Sequence, residues 1–119
     1  MTDPKIAIRI DLAGNLRELD IGTDRNQQIR TIGRALLDDI QAVDFIRRTT
    51  GPDIVILARA HRAHQAPNHP AARAVHELAA PLPHPIQGNV VLAGYTTAGH
   101  LTGLPADAVA IIRAACHTP

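Results

Sequence analysis

Apolar and polar residues alternate strictly from Lys5 to Leu12, with Ile6, Ile8, Ile10 and Leu12 on one side and Lys5, Arg9 and Asp11 on the other. A period of two marks a strand with one face against a core. Ala13-Gly14-Asn15 supplies a turn. Residues 16–21 then return with Leu19 and Ile21 inward and Glu18 and Asp20 outward, which predicts an antiparallel hairpin. After this the period changes. Ile29, Ile32, Leu36 and Ile40 recur three or four residues apart, predicting a helix from Asp24 to about Asp38 with Thr23 as its cap. Asp24 falls in the first turn, where the helix dipole favours a negative charge.

Residues 43–48 and 53–59 predict a second hairpin around Thr49-Thr50-Gly51-Pro52. Its Asp53-Ile-Val-Ile-Leu-Ala run is apolar on both faces, as a central strand should be. A loop at 60–68 leads to a helix capped by Asn68 or His69. Pro70 sits in its first turn, and Ala71, Ala74, Val75 and Leu78 face inward to about Ala80. Pro81, Pro83 and Pro85 impose an extended linker. Residues 89–93 form a buried strand between Gly88 and Gly94, and 96–103 a flexible turn. Pro105 opens a last helix with Ala108, Val109, Ile112 and Ala115 inward. The order β-β-α-β-β-α-β-α predicts one compact α+β domain over residues 1–119. Its sheet is mixed or antiparallel, with about five strands and helices mainly on one face.

Composition narrows this picture. The apolar residues are mostly Ala, Ile, Leu and Val, with one Phe, one Tyr and no Trp. Small aliphatic side chains bury less area each than aromatic ones, so stability is expected to be modest, or aided by a homo-oligomer that hides the edge of the 5–21 hairpin. Phe45 is expected in the core and Tyr95 at the surface. A net charge of +1 argues against a strongly basic nucleic-acid binder, and Arg47-Arg48 lacks aromatic partners for that role. Arg far outnumbers Lys and Ala is abundant, a coding bias of GC-rich genomes such as those of actinobacteria. The single cysteine, Cys116, rules out an internal disulfide and a cysteine-based zinc finger, and reads as a small apolar filler. The first dozen residues alternate rather than forming an apolar run, so no signal peptide is expected. With no membrane-length apolar segment either, the expectation is a cytoplasmic protein without membrane association.

The motif order resembles a known family. A strand pair precedes a helix, a hairpin follows as QAVDFIRRTTGPDIVILA, and Asn68-His-Pro-Ala-Ala-Arg-Ala opens a short helix. Ile86-Gln-Gly-Asn-Val-Val-Leu-Ala-Gly94 then leads to a Leu-Thr or Leu-Pro start of the last helix. Over most of its length the chain thus resembles domain-of-unknown-function family 3846, small proteins of bacteria, plasmids and phages. The resemblance implies an accessory role on a mobile genetic element and carries over no catalytic residue.

Chemistry concentrates between residues 59 and 77. His61, His64 and His69 could supply three imidazoles to zinc, leaving a fourth position for water. Arg59, Arg62, His64, His69 and Arg73 surround a helix start at Asn68, where free N–H groups favour an anion. The charge distribution agrees: residues 59–119 hold four Arg against Glu77 and Asp107, whereas residues 1–58 hold eight basic and nine acidic groups. Tyr95, with His100, could flank the same ligand. His64, His69 and Glu77, near Arg73, also supply the group types of a small hydrolase or ribonuclease, although Arg73 and Glu77 at i, i+4 suit a surface ion pair. Asp38, Asp39 and Asp44 form a carboxylate cluster expected to be solvated. The glycines of 94–103 lack the Lys-Ser/Thr ending of a phosphate-binding loop. The leading expectation is a non-enzymatic protein that binds a protein partner or small anion through Arg59, Arg62, His64, Asn68, His69, Arg73 and Tyr95. The alternatives are the hydrolase and the histidine zinc site.

Overall fold

A computed structural model describes residues 4–49, 51–61, 64–79 and 86–117. The elements are β1 (Ile6–Ile10), β2 (Leu16–Asp20), α1 (Arg25–Leu36), β3 (Ile40–Ile46), β4 (Asp53–Arg59), α2 (His69–Leu78), β5 (Val90–Tyr95), β6 (Leu101–Thr102) and α3 (Ala106–His117). The strands form one antiparallel sheet in the order β2-β1-β5-β4-β3, with β6 paired to the far end of β5. The α+β architecture thus agrees with the sequence pattern. The proline linker at 81–85 and Arg62 lie outside the described residues.

Alternation along the central strands splits the interior into two cores. Ile8, Ile10, Ile54, Ile56, Val90 and Leu92 pack with Ala71, Ala74 and Val75 of α2 and Ala108 and Ile112 of α3. Ala7, Val55, Leu57, Val91 and Ala93 pack with Ile32, Ala35 and Leu36 of α1 on the opposite face. Two helices therefore share one face and the third covers the other. β1 consequently differs from the half-buried strand that its alternation predicts, because Ala7 on its second face is also sealed, beneath α1.

Helix α1 starts one residue later than expected. Asp24 is the cap and accepts from the Gln27 N–H at 2.9 Å, so Thr23 is outside the helix. The buried stripe is Gln28, Ile32, Ala35 and Leu36, with Ile29 left 41% exposed. Gln28 belongs inside because its Nε2 donates to the Gly22 and Leu101 carbonyls, at 2.8 and 3.1 Å, and ties α1 to the chain leaving β2 and to β6. Burying Ile32 and Leu36 contributes on the order of 2 kcal/mol each.

Two departures lie in the strands. The register of β3 shifts between Ala42 and Asp44. This bulge gives β3 an extra residue, so Phe45 pairs with Val55 on the α1 face while Ile46 enters the other core. Phe45 is therefore 45% exposed rather than in the core. Residues 96–103, expected as a flexible turn, instead close a hairpin. Thr96 N–H donates to the His100 carbonyl at 2.9 Å, and Gly99 N–H to the Thr96 carbonyl at 3.0 Å. Tyr95 and Leu101 are strand partners across it. Two surface ion pairs, Arg48–Asp107 and Arg113–Glu18, link α3 to the sheet.

Candidate functional site

The loop that leaves β4 is anchored by a carboxylate the sequence reading left in solvent. Leu37 adopts a left-handed conformation, φ 59°, at the end of α1 and turns the chain so that Asp38 faces the start of the loop. The His61 backbone N–H donates to Asp38 Oδ2 at 3.1 Å, and His61 Nδ1 lies 3.2 Å from both carboxylate oxygens. An ionised carboxylate only accepts, so Nδ1 carries the hydrogen. Arg59 Nε lies 3.6 Å from Asp38 Oδ2. The backbone and side-chain hydrogen bonds from His61 pull the Asp38 carboxyl down from 3.8 to about 2. Asp38 thus takes up positive charge from the Arg59–His61 end of the proposed anion site.

This pair has a pH signature. A carboxyl with a depressed folded-state pKa stabilises the fold above its unfolded value and loses that contribution as pH falls through the folded value. Urea melts of the wild type and Asp38→Asn should therefore differ most above pH ~4 and converge between pH ~4 and ~2. A gap that stays constant over that window would show that the carboxylate's charge contributes nothing.

Asn68 is placed inside rather than at a ligand. It is 1% exposed, and its Nδ2 donates to the Ile10 carbonyl at 3.0 Å and the Gly88 carbonyl at 2.9 Å. Its Oδ1 accepts from the Ala71 N–H at 3.0 Å, capping α2. The Ala72 N–H goes to the Asn68 carbonyl, and Pro70 has no N–H. The helix start therefore offers few free donors, which corrects the expectation that backbone N–H groups after Asn68 cradle an anion. Asn68 N–H to the Ile86 carbonyl at 2.7 Å and Gly88 N–H to the Ala66 carbonyl at 2.8 Å fix the loop against the chain that enters β5.

The polar stripe of α2 instead meets α3. His69, Arg73, His76 and Glu77 recur at helical spacing and line an open groove of about 780 Å³, together with Ala72 and the α3 residues Ile111, Ala114 and Ala115. His64 is absent from this lining, so the hydrolase set is split: His69 and Glu77 share the groove and His64 does not. Arg73 and Glu77 form no ion pair within 4.0 Å. Among the described residues no three His, Cys, Asp or Glu gather where they could hold a metal ion. Cys116 Sγ lies 3.8 Å from the Pro70 carbonyl, and burial pushes its thiol pKa up against the opposing effect of Arg73. This environment suits a packed thiol, not a nucleophile.

Tyr95 belongs elsewhere. It pairs with Asp53 at one end of β4, whereas Arg59 ends the same strand. Six residues of strand at about 3.3 Å each separate the two ends by roughly 20 Å. His100 stays with Tyr95, beside Phe45, in a second and smaller cleft. The candidate set 59–73 plus Tyr95 thus resolves into an Asp38-anchored loop, a buried cap, an α2–α3 groove and a separate aromatic cleft. His76 and the small residues of α3 were missed. The i, i+4, i+7 spacing of His69, Arg73 and His76 was the available signal for the first, whereas nothing in the sequence pairs α2 with α3. Among the described residues no helix is long and apolar enough to cross a membrane. No protein-family model, curated protein or solved structure matches the chain.

Proposed function

We propose that this protein is a non-enzymatic binding module whose α2–α3 groove receives an acidic amphipathic helix of a protein partner. The observation that supports this most is the makeup of the groove. Its floor is small and apolar at Ala72, Ala114 and Ala115, while His69, Arg73 and His76 line the α2 side together with one carboxylate, Glu77. Small residues let a partner helix approach closely, and an apolar stripe fills such a groove in the manner of ridges between helices. Arg73 supplies charge and the imidazoles supply N–H donors for carboxylates on the partner. The size of the groove favours a macromolecular segment over a lone small anion. Resemblance to the plasmid and phage family is consistent with an accessory role in the cytoplasm of its host.

The test is a fluorescence titration with two synthetic helical peptides that share a Leu stripe, one with Glu and one with Lys on the flanks. The Glu peptide should bind more tightly than the Lys peptide and weaken with salt. Arg73→Glu should weaken it about tenfold, and Ala72→Trp, which fills the exposed floor, should abolish it. Equal affinity for both peptides, or an unchanged Arg73→Glu variant, would overturn the proposal.

A further inference from the structure

The chain has one Phe and one Tyr and no Trp. Both rings lie together, their centroids 5.1 Å apart and their planes at 58°. They line the cleft of about 240 Å³ between α1, the α1 face of β3 and β4, and the 96–101 hairpin. Leu57 contributes from the sheet and Ile29 from α1. Exposure of both Ile29 and Phe45 around one concavity leaves apolar surface that none of the described residues covers. Arg25 and His100, both exposed, also line the cleft, and among the described residues no carboxylate does. Among the described residues Arg25 makes no ion pair.

We infer that this cleft binds a small planar aromatic anion of one or two rings, such as an aromatic carboxylate. The ring would lie among Ile29, Leu57 and the tilted Phe45–Tyr95 pair, where an edge-to-face or offset contact is favourable. The carboxylate would reach Arg25, with His100 beside it. A volume near 240 Å³ is below the usual range for drug-sized ligands and too small for a dinucleotide. The cleft walls are held in place. Gln28 ties α1 to the Gly22 and Leu101 carbonyls, and His100 N–H donates to Thr96 Oγ1 at 3.1 Å. A pre-formed wall reduces the ordering cost of binding. This site is separate from the α2–α3 groove, so either can fail without the other.

The experiment is a heteronuclear NMR titration with 2-naphthoate, the neutral 2-naphthalenemethanol and the non-aromatic cyclohexanecarboxylate. Naphthoate should shift Ile29, Leu57, Gly99 and His100 signals saturably and bind about tenfold more tightly than either control. Arg25→Gln should remove the preference for naphthoate over the alcohol while leaving alcohol binding intact. Phe45→Ala should weaken both naphthyl ligands about tenfold. Phe45→Leu, which keeps apolar volume and so guards against misfolding, should lose the preference for naphthoate over cyclohexanecarboxylate. The inference is overturned by non-saturating shifts, by shifts centred elsewhere, or by an Arg25→Gln variant that retains the preference. It is also overturned if sedimentation finds a dimer that Phe45→Glu dissociates, for a second copy would then cover the cleft.

Discussion

Asn68→Ala is expected to lower the free energy of unfolding by about 3 kcal/mol, one of the two largest single-residue effects expected in this fold. The side chain caps α2 through the Ala71 N–H, and loss of such a cap costs about 1 kcal/mol. It also donates to the Ile10 and Gly88 carbonyls, which β1 and the turn before β5 hold away from water. Each buried acceptor left without its donor costs about 1–3 kcal/mol. Asn68→Asp separates these contributions. It keeps the cap oxygen but replaces two N–H donors with a carboxylate oxygen that faces two carbonyls, so at pH 7 it should be the less stable variant. Burial and facing dipoles raise that carboxyl's folded-state pKa above its unfolded value. Its neutral form is therefore the tolerated one, and the deficit relative to wild type should shrink as pH falls from 7 towards 5. Urea denaturation at the two pH values checks this. If Asn68→Ala unfolds at the wild-type midpoint, the amide is not the structural tie described here.

Gly94→Ala should cost a similar amount by a different cause. A Cβ on Gly94 would sit 2.4 Å from the Gly103 carbonyl oxygen and 2.9 Å from Thr102 Cγ2. The oxygen belongs to backbone that cannot retreat, because Gly103 is itself packed against β1: a Cβ there would meet Ile6 N at 2.9 Å. Leu104 N–H also holds this segment to the Ile6 carbonyl at 2.8 Å. The sheet must therefore open around β6 to admit one methyl, at a cost of about 3 kcal/mol. For a domain of this size the melting temperature should fall by roughly 12 °C. Gly51→Ala is the useful comparison. Gly51 has φ +74° but nothing within 4 Å of its would-be Cβ, so that change costs backbone strain alone, about 1 kcal/mol. Equal melting temperatures for the two variants would rule out steric closeness at Gly94 as the dominant effect.

Periodicity carried much of the architecture. The alternation of 6–10, the two-sided apolar run of 53–58 and the Pro70 helix start lie in β1, β4 and α2, and Pro105 immediately precedes α3, because these signals are local; Leu12, expected on the inward side of the first strand, instead lies beyond β1 and is 43% exposed. Phe45 shows where that reasoning stops. Its hydrophobicity predicts the interior, but a one-residue bulge beside Val43 turns it to the α1 face, and no local pattern announces the bulge. Gln28 shows the converse. A polar residue is accepted in the buried stripe because two carbonyls, one of them 73 residues away, meet its amide.

The candidate sites divide along the same line. The sequence alone determined that the chain is an α+β domain, that its rings are few and that His and Arg residues crowd 59–77, since composition and spacing belong to the chain itself. Tertiary structure decided which of those groups meet. It brought Asp38 to His61, buried Asn68 as a cap, set the α2 stripe against α3, and moved Tyr95 a strand's length from Arg59 to join Phe45. The reason is physical: each of these contacts joins residues that are distant in sequence, and sheet register and helix packing, not local preference, set the distance between them.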